Sequence, residues 1–314
     1  MNPIRHALET YLALRRRLGT QMSGPEGRLR HFLEFLEREE STTITTELAL
    51  RWATAAAAAS SATWAQRLGD VRRFAAWLSS TDCRVEIPPH GLLPERYRRR
   101  PPYIYSDEEL LRIIRTAARL HSESGLRART YATLFGLLAC TGLRLGEALA
   151  LDRDDVDLRE GIITVRRAKF GKSRLVPIHE TTRRALRRYA RTRDTLVPHP
   201  ASSAFLLSER GMRLTHSIAE HTFVVVLRAI GLRSRGPGRR RGHGPRLHDM
   251  RHRFAAKTLV RWYSEGRDVA RELPKLSTYL GHVHVADTYW YIEAVPELLG
   301  LAIERATGPR EAVP

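Results

Sequence analysis

Six residues in the C-terminal half of the chain have side chains suited to chemistry on a phosphodiester. Five can carry positive charge or move a proton, and the last is a tyrosine: Arg144, Lys169, His248, Arg251, His282 and Tyr291. Arginine and lysine bind phosphate oxygens, histidine transfers protons, and a tyrosine hydroxyl can act as a nucleophile. The sequence offers no accompanying cluster of acidic residues to hold a metal. The set predicts transfer of a phosphoryl group to the tyrosine oxygen.

No member of this set is diagnostic by itself. His248 and Arg251 are three residues apart and would share one face of a helix, which is a common surface pattern. Arg144 could simply pair with Glu147. Tyr291 lies among aromatic and apolar neighbours, where a core tyrosine is the ordinary interpretation. The order and spacing of the whole set therefore carry the prediction.

The composition favours a polyanionic partner. Among 314 residues, lysine and arginine outnumber aspartate and glutamate by 53 to 34, giving a formal charge of +19. The longest apolar run near the middle, residues 134–140, is too short to span a bilayer, and no signal peptide opens the chain. Two cysteines, Cys83 and Cys140, cannot build a disulfide framework or a four-cysteine zinc site. We expect a cytoplasmic, nucleoid-associated bacterial protein that binds nucleic acid and no membrane.

Lysine is rare in this chain, with four lysines against 49 arginines. GC-rich codon usage accounts for most of this bias. Two of the four, Lys169 and Lys172, nevertheless lie three residues apart in one short predicted hairpin. Lysine can release its proton, with a pKa of about 10.4, whereas arginine stays charged up to about 12.5. A lysine retained here indicates proton transfer.

Residues 1–84 are predicted to form a helical first domain with four helices. An amphipathic stripe at helical spacing runs from Leu29 to Leu36, and a second runs from Trp64 to Leu78. Between them, residues 47–58 are alanine-rich and predict another helix. Other faces of the second stripe's helix carry arginines that point either to solvent or to DNA phosphates: Arg67, Arg72 and Arg73.

Two segments have the composition of connectors. Residues 85–105 contain five prolines, which stop helices and predict an extended linker between domains. Residues 233–246 are rich in glycine and arginine and predict a mobile loop. Each carries a basic run that either keeps the segment soluble or contacts backbone phosphates: Arg98, Arg99 and Arg100 in the first, and Arg239, Arg240 and Arg241 in the second.

Residues 106–314 are predicted to form a second domain of helices around a small β-hairpin. Ser106 to Glu109 is a capping-box pattern that begins a helix. The β-branched segment 161–167 pairs with residues 173–178, so that Lys169 and Lys172 occupy the turn. Further helices are expected at residues 129–140, from Arg144, and at 180–192, 215–231 and 247–264. The fold class is thus mostly α with a small β-sheet.

The joint pattern resembles the tyrosine recombinases, also called the phage integrase family. TGLRLGEALAL is similar to the first family box and contains Arg144, and AKFGKSRLVPI is similar to the lysine hairpin. HDMRHRFAA is similar to the second box, with His248 and Arg251. LGHVHVADTYWY is similar to the last box, with His282 followed nine residues later by Tyr291. The amino-acid sequences of the hairpin and of the last box resemble those of recombinases from mobile elements and plasmids more than those of chromosome-dimer resolvases.

The resemblance implies a role for each residue. Tyr291 would attack the scissile phosphate, Arg144 and Arg251 would neutralise its oxygens, and Lys169 would protonate the leaving 5′-oxygen. His248 would assist proton transfer and His282 would bind the phosphate. Lys172 remains a rival for Lys169, and Tyr289 a rival for Tyr291. The reaction would need no metal, ATP or other cofactor.

The resemblance also implies an architecture and partners. The two domains would form a clamp on double-stranded DNA that carries inverted-repeat core sites, and residues 292–314 would form a C-terminal tail. The protein would be a monomer or weak oligomer when free, and a homotetramer, or a heterotetramer with related recombinases, on DNA. A DNA-relaxing enzyme like topoisomerase IB and a binding-only protein of the same fold are the alternatives.

Overall fold

The computed structural model describes residues 3–20, 22–57, 59–94, 101–166, 173–234 and 244–282, together with a few positions near the C-terminus (284, 288, 289, 291, 298 and 300). The chain divides into two compact units, Met1–Arg100 and Pro101–Pro314. None of the helices in this described part is long and apolar enough to cross a membrane.

The first unit contains four helices, as the stripes predicted: α1 (Pro3–Arg17), α2 (Ser23–Arg38), α3 (Thr46–Thr54) and α4 (Ser61–Leu78). Thr45 and Ser60 begin α3 and α4 by accepting hydrogen bonds from backbone N–H groups of the first turn. The apolar stripes of α2 and α4 are buried together around Phe32, Trp52 and Phe74.

The predicted linker is partly packed against this first unit. The Val85 side chain is buried in its core, and the Glu86 N–H donates to the Ile44 carbonyl at 2.9 Å. At the other end, Tyr105 is buried in the second unit. Prolines stop helices without preventing an extended chain from packing on a neighbouring core. The division between the two units, after Arg100, lies within the range predicted for the linker.

The second unit has seven helices and three strands in its described residues. They are α5 (Asp107–Ala117), α6 (Leu126–Thr141), α7 (Leu145–Ala150), a 3-10 turn (Arg153–Asp155), β1 (Val156–Asp157), β2 (Ile162–Val165), β3 (Arg174–Pro177), α8 (Glu180–Leu196), α9 (His216–Ala229), α10 (Leu247–Ser264) and α11 (Val269–Leu280). The strands form one antiparallel sheet in the order β1-β2-β3. The mostly helical fold class with a small sheet is confirmed.

The predicted hairpin and the capping box are both present. Ile163 of β2 pairs with Val176 of β3, and both side chains face the core. The Ser106 hydroxyl accepts from the Glu109 N–H at 3.1 Å, while the Glu109 carboxylate accepts from the Ser106 N–H at 2.9 Å. The hairpin turn, with Lys169 and Lys172, lies outside the described residues.

Helix α11 was not predicted, because Pro274 interrupts its sequence pattern. Proline lacks an N–H and normally ends a helix. Here burial of Leu273, Leu276 and Leu280 against α10 provides the packing that holds the helix together. The C-terminal end of α11 is one wall of the candidate site.

Candidate active site

Arg144 lies where the chain turns from α6 into α7. Gly142 ends α6 with a left-handed conformation (φ 62°), and Arg144 occupies the position before the first residue of α7. Its Nη1 donates to Glu147 Oε1 at 2.8 Å, and its Nη2 donates to the Gly281 carbonyl at 3.1 Å. The Glu147 carboxylate also accepts from the Arg144 backbone N–H at 2.9 Å. These bonds hold the half-buried guanidinium at the mouth of the site.

Arg251 is at the centre of the site, with its side chain only 2% exposed. Its two terminal nitrogens donate to the Gly142 and Leu280 carbonyls, both at 2.7 Å. Burial lowers the pKa of Arg251 to about 10, and the neighbouring Tyr291 side chain opposes this shift. The group still carries its charge at neutral pH. One guanidinium therefore joins the ends of α6 and α11 beside the tyrosine.

His248 lies one turn before Arg251 on α10, as the spacing predicted. Its ring meets the His252 ring edge to face, with 4.6 Å between centroids. His248 remains partly exposed to solvent. Burial of the rest of its ring, and secondly the positive charge of Arg251, lower the pKa of His248 to about 4. At neutral pH the ring is therefore uncharged.

His282 follows the left-handed Gly281 that ends α11. Its Nδ1 is 2.7 Å from the hydroxyl of the buried Thr288, and its backbone N–H donates to the Ser277 carbonyl at 3.0 Å. The imidazole stacks on the Tyr291 ring, with 5.9 Å between centroids and 23° between planes. The Thr288 contact fixes the orientation of the ring.

The two candidate tyrosines have different surroundings. Tyr291 is 3% exposed and lies between the rings of His252 and His282, whereas Tyr289 is 49% exposed. Tyr291 is also the tyrosine whose side chain acts on the pKa of the neighbouring Arg251. Five of the six predicted residues thus meet in one place, and Lys169 lies outside the described residues.

Arg174 is a site residue that the motifs did not single out. It is the first residue of β3, and both of its terminal nitrogens donate to the Glu147 carboxylate, at 3.0 and 2.8 Å. Burial raises the pKa of Glu147, but the bonds from Arg174 and from the Arg144 N–H outweigh it and hold the pKa at about 2. The sequence signal was an arginine in an apolar strand, directly after the lysine hairpin.

Two more side chains of α10 have contacts that bear on the site. Asp249 pairs with Arg246 rather than with Arg251, so it fixes the beginning of α10 and not the central guanidinium. His252 is buried against the Tyr291 ring. Within the described residues, no group of three or more His, Cys, Asp or Glu side chains is placed to share a metal.

The three arginines predicted on α4 differ in what they contact. The Arg67 guanidinium lies 4.1 Å from the centroid of the Trp52 ring, and Arg73 is 57% exposed beside Asp70. Arg72 is buried and donates to the carbonyls of residues 88 and 89 at 2.7 and 2.8 Å. Its guanidinium is used to hold the extended chain after α4, so the expectation of a phosphate contact at Arg72 is corrected. The other predicted contacts, Arg98–Arg100, Lys172 and Arg239–Arg241, lie outside the described residues.

The close approach of Arg174 to Gly281 predicts that residue 281 cannot take a larger side chain without loss of stability. A Cβ at residue 281 would lie 2.7 Å from Arg174 Nη1 and 2.9 Å from its Cζ, and φ is 69°. We expect Gly281→Ala to lower the free energy of unfolding by about 2–4 kcal/mol, from backbone strain plus overpacking. Gly266→Ala is the matched control, since its φ is 68° but no atom lies within 4 Å of the added Cβ. Urea unfolding of both variants checks this, and equal losses would contradict the close packing.

Comparison with known proteins identifies one family for this chain. The profile of the phage integrase family matches residues 105–297. A Sinorhizobium fredii protein named as an integrase/recombinase (y4rB) is 47% identical over 97% of both chains. Tyrosine recombinase XerC of Chromobacterium violaceum is 32% identical, over 74% of this chain and 69% of its own.

Solved structures share the fold at low sequence identity. XerH recombinase bound to a palindromic difH substrate aligns with a TM-score of 0.64 at 16% identity, covering 91% of this chain and 79% of the other. The Tn1549 transposon integrase in complex with circular intermediate DNA aligns with a TM-score of 0.64 at 15% identity, covering 96% and 99%. With the family profile spanning more than half of its residues, this chain belongs to the phage integrase family, the tyrosine-type site-specific DNA recombinases.

Proposed function

We propose that this protein breaks and rejoins DNA at specific sites through a 3′-phosphotyrosyl intermediate on Tyr291, without metal or ATP. The observation that carries the proposal is the placement of Tyr291 next to the buried Arg251 and the His282 ring, with Arg144 close enough to act on the pKa of Arg251. This arrangement joins a nucleophile to the cations that its phosphate target requires.

The reaction is a displacement at phosphorus. The Tyr291 oxygen forms a bond to the scissile phosphorus, the bond to the 5′-oxygen breaks, and Lys169 supplies the proton that this leaving oxygen takes up. Arg144 and Arg251 bind the non-bridging oxygens while charge accumulates on them, and His282 adds a hydrogen bond. Rejoining is the reverse displacement by a 5′-hydroxyl, so the energy of the phosphodiester is conserved in the protein–DNA link.

His248 accepts the proton of the Tyr291 hydroxyl in this mechanism. Its pKa of about 4 keeps the imidazole neutral at pH 7, which leaves a nitrogen lone pair available. The same low pKa makes the free ring a weak base. A phosphate anion entering beside it would raise the pKa, because a nearby negative charge favours the protonated ring. Proton transfer is thus coupled to DNA binding.

The charge balance supports a reaction without metal. Arg144 and Arg251 supply two permanent cations, and Lys169 supplies a third group that is charged until it gives up its proton. In many nucleases, metal ions perform the corresponding stabilisation of phosphate oxygens. Here the guanidinium groups are fixed by carbonyl hydrogen bonds before DNA arrives, so little reorganisation is required during the reaction.

The proposed partner is double-stranded DNA with inverted-repeat core sites, on which the protein assembles as a homotetramer or with related recombinases. The formal charge of +19 supports a polyanionic partner. XerH was solved on a palindromic substrate, and lambda integrase was solved as a dimer on a core site. The first unit would clamp the DNA, with Arg67 and Arg73 as candidate phosphate contacts. Similarity to y4rB and to the transposon integrase favours a role in the recombination of a mobile element.

The test is covalent adduct formation on a nicked suicide duplex carrying the repeats that flank the coding region. With EDTA present and no nucleotide added, we expect the wild-type protein to become attached to the 3′ side of the break. A requirement for Mg²⁺ or ATP would contradict the mechanism. A plasmid with two sites then distinguishes activities, since relaxation without exchange between the sites would indicate a topoisomerase-like enzyme.

A further inference from the structure

We propose that Arg174 is a positioning residue for Arg144: it balances the charge of Glu147, so that Arg144 keeps a cationic field for the scissile phosphate. This role rests on the proposed function, and the same contacts anchor the first residue of β3. Arg174 does not touch the reacting atoms in the proposed mechanism and acts through the carboxylate.

One guanidinium joins three separate segments around the site. Besides the two bonds to Glu147, Arg174 Nε donates to the Tyr279 carbonyl at 2.9 Å. The Arg174 side chain is 10% exposed, and that of Glu147 is 8% exposed. Arg174 therefore ties β3 to α7 and to the last turn of α11. Because Arg174 is the first residue of β3, these contacts hold the beginning of that strand.

The charge count explains why a second arginine is needed. Arg144 and Glu147 alone would form a neutral pair, and the carboxylate would compete with phosphate for the Arg144 guanidinium. With Arg174 bound to both carboxylate oxygens, the three side chains together carry one net positive charge. Water screens the attraction between Glu147 and Arg174 only weakly, because both side chains are nearly buried. The planar fork of arginine matches the carboxylate, which a lysine would contact at only one point.

Arg174 also sets the backbone that Arg144 contacts. Its guanidinium fills the space where a side chain at residue 281 would lie. The Gly281 carbonyl accepts from Arg144 Nη2, and His282 is the next residue. A shift of Arg174 would therefore move both the second anchor of Arg144 and the histidine that faces Tyr291.

The experiment compares two scissile groups in single-turnover adduct formation on the nicked duplex. One duplex has the natural phosphodiester, and the other has a methylphosphonate, in which a neutral methyl replaces one charged oxygen. We expect Arg174→Met to slow adduct formation about 100-fold on the phosphodiester but less than about 5-fold on the methylphosphonate, because the neutral group needs less charge stabilisation. Arg174→Lys keeps the charge and should stay within about 10-fold of wild type on both.

Arg213→Met is the matched control. Arg213 also binds backbone carbonyls, those of Leu149 and Leu151, and pairs with Asp152 in the same unit. Its removal should lower the melting temperature and change both rates by the same factor. If Arg174→Met does not melt cooperatively, Arg174→Gln takes its place in the comparison with Arg174→Lys.

The outcomes separate the two proposals. Equal losses on both duplexes for the neutral Arg174 variants, or a lysine variant as slow as they are on the phosphodiester, would overturn the charge-balancing role and leave Arg174 as a packing residue. Absence of any adduct with wild-type protein on either duplex would instead contradict the proposed function. A wild-type adduct together with a loss confined to the phosphodiester supports both.

Discussion

Replacing Tyr291 with phenylalanine is expected to abolish covalent protein–DNA adducts on a nicked suicide duplex, a loss of at least about 10⁴-fold, while leaving DNA binding nearly intact. The substitution removes only the hydroxyl oxygen that would bond to phosphorus. The ring keeps its packing between His252 and His282, so the folded site should persist. Denaturing gels measure the adduct, and an electrophoretic mobility shift measures binding.

Tyr289→Phe is the control for this experiment. Tyr289 is half exposed and two residues upstream, so its variant should form adducts at close to the wild-type rate. Adducts that persist in Tyr291→Phe and disappear in Tyr289→Phe would move the nucleophile to Tyr289. Adducts that persist in both variants would contradict a mechanism in which either tyrosine is the nucleophile.

Replacing Arg251 with methionine is expected to damage both stability and activity. The variant leaves the Gly142 and Leu280 carbonyls without their donor in a buried site, which should cost about 3 kcal/mol of unfolding free energy. It also removes the cation in contact with Tyr291, so adduct formation should fall by at least about 10³-fold. Urea unfolding and single-turnover adduct assays measure the two effects separately.

Arg253→Met provides the comparison within the same helix. Arg253 is buried two residues later on α10 and donates to the Tyr105 carbonyl at 2.8 Å, beside its ion pair with Asp107. We expect a similar loss of stability, with adduct formation within about 10-fold of wild type where the protein is folded. If the two variants lost activity equally, Arg251 would have only a structural role.

Local patterns were enough to predict most of the elements. Helices α8, α9 and α10 begin and end within a few residues of their expected positions, and the stripe from Leu29 to Leu36 is buried as its spacing required. Helix α11 was missed because burial of its leucines against α10 outweighs the local signal of Pro274.

The roles of individual charges were less predictable. Arg72 and Arg73 are adjacent on α4, yet one is buried against the carbonyls of residues 88 and 89 while the other is exposed beside Asp70. Composition treats all 49 arginines alike. Only the three-dimensional packing distinguishes an arginine that binds backbone carbonyls of the same chain from one that is accessible to a phosphate.

The sequence by itself determined the family, the mostly helical fold class and the six residues proposed for catalysis, because their order and spacing are properties of the chain. Tertiary structure decided which of these residues meet, and what holds them there. The carbonyls of Gly142, Leu280 and Gly281 anchor the two site arginines, and Arg174 reaches Glu147 across 27 residues. Such contacts join segments that are far apart in sequence, and their geometry exists only once the helix ends have packed around the site.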